Sequence, residues 1–388
     1  MINRTAQAYL KSLQRRFPIV TVIGPRQSGK TTLVQASFPE KPYANLENPA
    51  DFQFAQEDPL GFIYQYPDGC IIDEIQRVPE LLSVLQVVSD DKQTNGLFII
   101  TGSQQFVLME KITQSLAGRT FILKLLPLSI EELDSANQLS DLNQTLLQGF
   151  YPRMYAEETI PSELMQSYFE TYVQKDVRQV LNIKDIAIFQ KFVGLCAGRI
   201  GQLLNKESLA NDIGINIKTV EEWISVLETS FVLFRLQPFW RNSRKRLTKS
   251  PKLYFYDVGM ASWLLRIQDS SAMVNHPFRG NLFENMIIVE ALKNRFNAGK
   301  DNNLFFYRDG KKREIDLVID EGQQIFPIEI KSAATYNAEF SKNLGLVDDY
   351  GTVGKAVVFG ADTGQNRSNL EIISWRNFSG YLGRYSLV

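Results

Sequence analysis

Apolar stripes and apolar runs follow one another along this chain in an order that predicts alternating helices and strands. Tyr9, Leu10, Leu13 and Phe17 recur at helical spacing, which predicts an amphipathic helix over 6–17 with basic residues on its other face. Ile19-Val20-Thr21-Val22-Ile23 is short, apolar and β-branched, as expected of a buried parallel strand. Further strand-like runs are Tyr43–Leu46, Cys70–Ile72, Leu97–Ile100 and Phe121–Leu126, with proline-punctuated segments between Phe38 and Pro67. Later, Leu209, Ala210 and Ile213 mark one helix face, Gly214 a turn, and Val220, Trp223, Ile224 and Leu227 the face of a second helix. Phe231–Leu236 and Tyr254–Tyr256 are short strands behind that pair. A helix over Glu284–Leu292 and strands at Leu304–Tyr307, Arg313–Ile319 and Gln324–Lys331 complete the pattern. The expected class is α/β, with boundaries near 150 and 260.

The segment that joins the first run to the helix after it reads Gly24-Pro25-Arg26-Gln27-Ser28-Gly29-Lys30-Thr31. It fits the phosphate-loop pattern G-x-x-x-x-G-K-[ST] at every constrained position and has the required strand–loop–helix context. Glycines allow consecutive N–H groups to turn inward on a phosphate, and the helix N-terminus at Thr31-Thr32 adds favourable dipole charge. Lys30 is placed to reach the β- and γ-phosphates of ATP and the Thr31 hydroxyl to ligate Mg²⁺. Downstream, Cys70-Ile71-Ile72-Asp73-Glu74 is an apolar strand ending in two acids. Asp73 is expected to hold Mg²⁺ through water and Glu74 to orient or deprotonate the attacking water. Thr101, Ser103 and Gln104 follow another strand and are candidates to sense the γ-phosphate. Arg119, in Leu116-Ala117-Gly118-Arg119, reads either as a finger delivered to a neighbouring subunit's site or as a surface arginine beside a glycine turn.

The set GPRQSGKTTL, CIIDEIQRVPELL, ITGSQ and LAGR resembles the AAA-type ATPases of bacteria and archaea that carry a C-terminal domain of unknown function with a nuclease-like fold. The resemblance continues through Gly149-Phe150-Tyr151-Pro152 and Tyr172–Val177 and spans essentially the whole chain. It implies an AAA-type P-loop core over 1–150, a helical and winged-helix middle domain over 151–260, and a C-terminal α/β domain of restriction-endonuclease-like fold over 261–388. It also implies ATP and Mg²⁺ as cofactors and a homo-oligomer, in some relatives a hexameric ring. No position matches the second sensor arginine of other AAA-type enzymes.

The C-terminal stretch carries its own constellation. Alternation places Glu329 and Lys331 together on one face of their strand, opposite Ile328 and Ile330. Asp316 lies on the preceding strand and Glu284 on the helix before it, which together form the PD-(D/E)xK pattern of nucleases. Asp316, Glu329 and Glu284 are thereby candidate ligands of a divalent cation and Lys331 a candidate to position water. Cleavage and a non-catalytic scaffold role both remain open.

For a DNA partner the pattern points two ways. The second helix of the central pair shows Glu221, Glu222 and Glu228 against Lys218, a face that phosphate would repel. Arg241, Arg244, Lys245, Arg246, Lys249 and Lys252 instead form an acid-free run beside Trp240. That run reads equally as a wing on a phosphate backbone or as a solvated loop. Composition narrows the chemistry. Two cysteines and one histidine among 388 residues leave no disulfide framework and no zinc cluster, and the net charge of −1 excludes a bulk polycation. No signal peptide and no apolar run of about 18 residues is present, so a cytosolic protein without membrane contact is expected.

Overall fold

Strand pairing divides the chain into two sheets, each in its own compact unit: 1–128 with 296–300, and 129–295 with 301–388. The computed structural model describes all residues except 104–111, 113–114, 158, 174–184, 241–249, 368–369 and 388.

The first sheet runs in the order β2-β3-β4-β1-β5 and every pairing is parallel. Its strands are β1 (Ile19–Ile23), β2 (Tyr43–Asn45), β3 (Ile71–Asp73), β4 (Phe98–Gly102) and β5 (Thr120–Lys124). Every residue of β1, β3 and β4 is buried, which is why these segments read as unbroken apolar runs rather than alternating ones. Because the strands are parallel, the residues that follow β1, β3 and β4 emerge at one edge. The helix Ala6–Gln14 buries Ala6, Leu10 and Leu13 against Val20, Val22, Leu33, Val34 and Leu123. It stops short of the expected Phe17, which precedes Pro18 and is therefore disfavoured in helical conformation. Phe17 still packs on the same core as a half-buried ring.

The second sheet has eight strands in the order β12-β13-β11-β10-β9-β8-β6-β7. β8 (Leu304–Arg308), β9 (Glu314–Asp320) and β10 (Ile325–Lys331) pair antiparallel; β11 (Ala356–Phe359) and β13 (Leu370–Ser374) extend the sheet in parallel, and β12 (Gln365–Arg367) closes that side. At the other side lies the antiparallel hairpin of β6 (Leu233–Pro238) and β7 (Lys252–Phe255), with β6 parallel to β8. Residues from both the middle and the C-terminal stretches thus build one sheet.

The two central helices form as expected, over Lys206–Ile213 and Ile217–Thr229. Asn205 and Asn216 cap them through their side chains, and Gly214 takes the left-handed conformation that ends the first. Trp223 meets Phe189 and Phe192 edge-on, which fixes the apolar face of the second helix. Its acids are not arrayed as a bare face. Arg235 of β6 binds Glu221 and Glu228, each at 2.5 Å, and Glu222 lies 3.8 Å from Lys218.

Candidate nucleotide site and a second carboxylate cluster

At the carboxyl end of β1 the backbone turns through left-handed Gln27 and Gly29 before the helix Lys30–Ser37. A Cβ on Gly24 would fall 2.0 Å from the Leu125 carbonyl oxygen, so only glycine fits there. Arg4, which the motif gave no reason to notice, donates to the Ser28 carbonyl and to that of Leu126, both at 2.7 Å, and fastens the loop to the segment after β5. Lys30 is buried and folds back on the Gly24 and Pro25 carbonyls at 3.1 and 2.8 Å. Burial pulls its ammonium down to about 8, against the opposing pull of Glu74 and Asp73. Ser28 Oγ is buried without a hydrogen-bond partner among the described residues. Pro25 is buried, Arg26 half-buried and Thr32 exposed.

Asp73, at the end of β3, is surrounded by hydroxyls. Thr31 Oγ1 and Tyr43 Oη donate to its Oδ2 at 2.8 and 2.7 Å, and Thr101 Oγ1 donates to Oδ1. Glu74 follows with φ of 56°, an uncommon backbone conformation for a non-glycine residue and one that clusters at functional sites. Its Oε2 accepts from Ser103 Oγ at 3.1 Å and from the Gln76 amide. The fold therefore gathers Lys30, Thr31, Asp73, Glu74 and Ser103 from three parallel strand ends. Tyr43 and Gln76 join them unannounced, since only strand pairing and the short helical turn after Glu74 place them there. Gln104 lies outside the described residues.

Arg119 sits elsewhere. It precedes β5, whose first residue pairs with Ile19, so it lies at the opposite end of β1 from the phosphate loop. Its guanidinium grips Asp90 through Nε and Nη2, at 2.6 and 2.8 Å.

In the second unit the four residues of the C-terminal constellation do converge. Lys331 Nζ lies 3.0 Å from Asp316 Oδ2 and 2.7 Å from Glu329 Oε1, and the Ile330 amide donates to Asp316 at 2.8 Å. Glu284 is met by Tyr254 Oη and, at 3.0 Å, by Lys252 Nζ, which also lies 2.5 Å from Glu314. Burial raises Glu329 to about 8, with repulsion from Asp316 adding to it and Lys331 opposing. Lys252 is held above its ordinary value because Glu284, Glu314 and Asp316 outweigh the burial that would lower it.

One sequence expectation changes here. Lys252 is no part of an exposed basic wing, being only 3% exposed among acids at the start of β7, while the rest of that run, 241–249, lies outside the described residues. Among the described residues no group of three or more His, Cys, Asp or Glu could hold a metal ion.

Three family models match successive parts of the chain. An AAA domain matches residues 16–134, a domain of unknown function (DUF8612) residues 139–271, and another (DUF4143) residues 279–378. Uncharacterized proteins of Mycobacterium tuberculosis and Mycobacterium bovis are each 29% identical over 351 residues, covering 89% of this chain and 77% of theirs. One from Haemophilus influenzae is 21% identical over 295 residues, 72% of this chain and 69% of its own. Among solved structures, a Walker-type ATPase of Pyrococcus abyssi aligns at 14% identity and TM-score 0.41, over 68% of this chain and 96% of that one. The N-terminal unit carries an AAA-type P-loop ATPase core.

Proposed function

We propose that this chain binds and hydrolyses ATP with Mg²⁺ and uses the resulting change to act on DNA. The observation that carries the hydrolytic part is the meeting of Lys30, Thr31, Asp73, Glu74 and Ser103 at one sheet edge. These residues fit a nucleoside triphosphate and its metal. Among the described residues Ser28 Oγ is buried without a partner beside a glycine-lined turn, and the side-chain partners of Asp73 are neutral hydroxyls. Thr31 and Asp73 would hold the ion, which supplies charge neutralisation at the phosphates.

Lys30 would leave the Gly24 and Pro25 carbonyls to meet phosphate oxygens, an exchange favoured because its buried charge has only these carbonyls as hydrogen-bond partners among the described residues. Glu74 would take a proton from the attacking water at Oε2, the oxygen now held by Ser103 and Gln76. Ser103 thereby links the water-activating acid to the neighbouring strand end. Arg119 would act on the site of another copy in a homo-oligomer. Its Arg119→Ala variant should bind ATP and lose turnover, and unchanged turnover places the finger elsewhere.

DNA is favoured by the acid-free basic run at 241–249 and by the pairing of Glu221 and Glu228 with Arg235, which weakens the case for a repelling acidic face on the winged-helix-like element. ATP turnover measured with single-stranded, duplex and branched DNA tests it; turnover indifferent to all three, with no binding at low salt, removes DNA as the substrate.

A second reading is supported by Lys252. Its ammonium among the carboxylates favours a nuclease-like C-terminal module that recognises a partner without cleaving it. DNA cleavage with Mg²⁺ or Mn²⁺ that is lost in Asp316→Ala would instead restore the nuclease reading.

A further inference from the structure

A cluster of largely buried charge outside the nucleotide site lies where β7, β9, β10 and the helix Arg279–Asn297 meet. Four carboxylates converge there: Glu284, Glu314, Asp316 and Glu329. Lys331 serves two of them, Asp316 and Glu329, and leaves Glu329 Oε2, on a residue 6% exposed, buried with no hydrogen-bond partner among the described residues. Lys252 serves the other two, and Arg308 also reaches Glu314, at 3.4 Å. Lys252 comes from a different part of the chain and is built in firmly. Its strand pairs with β6 on one side, and on the other Leu253 exchanges backbone hydrogen bonds with Gly201 and Gln202. Strand alternation sets Lys252 and Tyr254 on one face of β7, and both reach the same oxygen of Glu284.

A divalent cation binds carboxylate oxygens that converge on one point at about 2.0–2.6 Å. An ammonium does the same balancing with directed hydrogen bonds at longer range, and holds its acceptors apart. One ammonium stands between the two carboxylates, 3.0 Å from Glu284 Oε1 on the helix and 2.5 Å from Glu314 Oε1 on β9. We propose that Lys252 is the resident cation of this cluster, taking the place that a divalent metal would otherwise fill beside Glu284, Glu314 and Asp316. The C-terminal module then works without a bound metal, and removing the amine turns the cluster into a divalent-cation site. This assignment does not depend on ATP hydrolysis.

The experiment measures Mn²⁺ bound per chain by equilibrium dialysis of the full protein without nucleotide, so that the outcome is independent of the ATPase. Parent protein and its Asp316→Asn variant are expected to bind alike. Lys252→Met should gain one ion per chain, and Lys252→Met with Asp316→Asn should lose it again. An ion on the parent that Asp316→Asn removes overturns the proposal, as does a folded Lys252→Met chain that gains none. Should Lys252→Met not fold, Lys252→Gln, which keeps a polar group in the same space, takes its place with the same expected gain. If neither folds, the comparison of parent with Asp316→Asn decides alone.

Discussion

The two sites of this molecule are made of similar parts and balanced in opposite ways. Each has acids near strand ends and a buried or half-buried lysine. At the nucleotide site Asp73 is satisfied by three hydroxyls, from Thr31, Tyr43 and Thr101, while Lys30 is turned away onto backbone carbonyls. In the C-terminal cluster the acids are satisfied by ammonium groups directly. Neutral donors leave a carboxylate's charge in place for a cation to meet, and carbonyls leave an ammonium's charge in place for a phosphate. Lysine among acids closes both options. The first arrangement suits a site whose ligand comes and goes, and the second a site whose charge is settled when the chain folds.

That contrast can be broken most severely at Lys252. Deleting one member of a buried charge group leaves the others uncompensated, a loss of about 3–5 kcal/mol. Lys252→Ala should lower the urea midpoint of the full chain on that scale, whereas Lys331→Ala, whose side chain is 34% exposed, should cost clearly less. Equal losses would mean that the two amines are not distinguished by burial.

Next comes pH. Glu329 in the folded chain holds its proton up to about 8, above the ordinary carboxylate range. The unfolded chain then releases its proton first as pH rises, so this group's contribution is fully present below the ordinary carboxylate pKa. It is lost as pH climbs through about 8. Lys30 acts oppositely: with its folded value lowered to about 8, its contribution is present above the ordinary lysine value and lost as pH falls through 8. The Glu329→Gln variant should flatten the decline in stability between roughly pH 5 and 8, read by thermal melts across that range. A parent slope that survives the substitution would place the titrating group elsewhere.

The smallest expected effect is at Tyr43. Its hydroxyl shares Asp73 Oδ2 with Thr31, so Tyr43→Phe removes one donor without a cavity. Turnover should fall about tenfold, equivalent to roughly 1.4 kcal/mol of transition-state stabilisation, with the Mg²⁺ requirement shifted and the fold intact. An unchanged Mg²⁺ titration would reduce Tyr43 to a packing residue.

The candidate nucleotide site is largely legible in the sequence because its pattern is local. Gly24, Gly29, Lys30 and Thr31 act through one continuous turn, and Asp73 and Glu74 announce themselves by ending an apolar strand. Tyr43 was not legible, since only the β2–β3 pairing brings its ring beside Asp73. The C-terminal set Glu284, Asp316, Glu329 and Lys331 was visible by strand alternation, but its charge balance was not. Lys252 stands at the end of a run of basic residues, and nothing in that run marks its side chain as buried. Likewise Glu221 and Glu228 read as a bare acidic face until β6 delivers Arg235 between them. Local motifs survive in one dimension; ion pairs between elements do not.

The central claim, that hydrolysis belongs to the hydroxyl-lined site at the end of β3, is tested most directly by following Mg²⁺-ATP turnover in parent and Glu74→Gln chains alongside ATP binding. Loss of the general base predicts a kcat lower by about 10²–10⁴-fold with ATP binding retained. Equal turnover in the two chains would contradict the account and move the water-activating group away from Glu74.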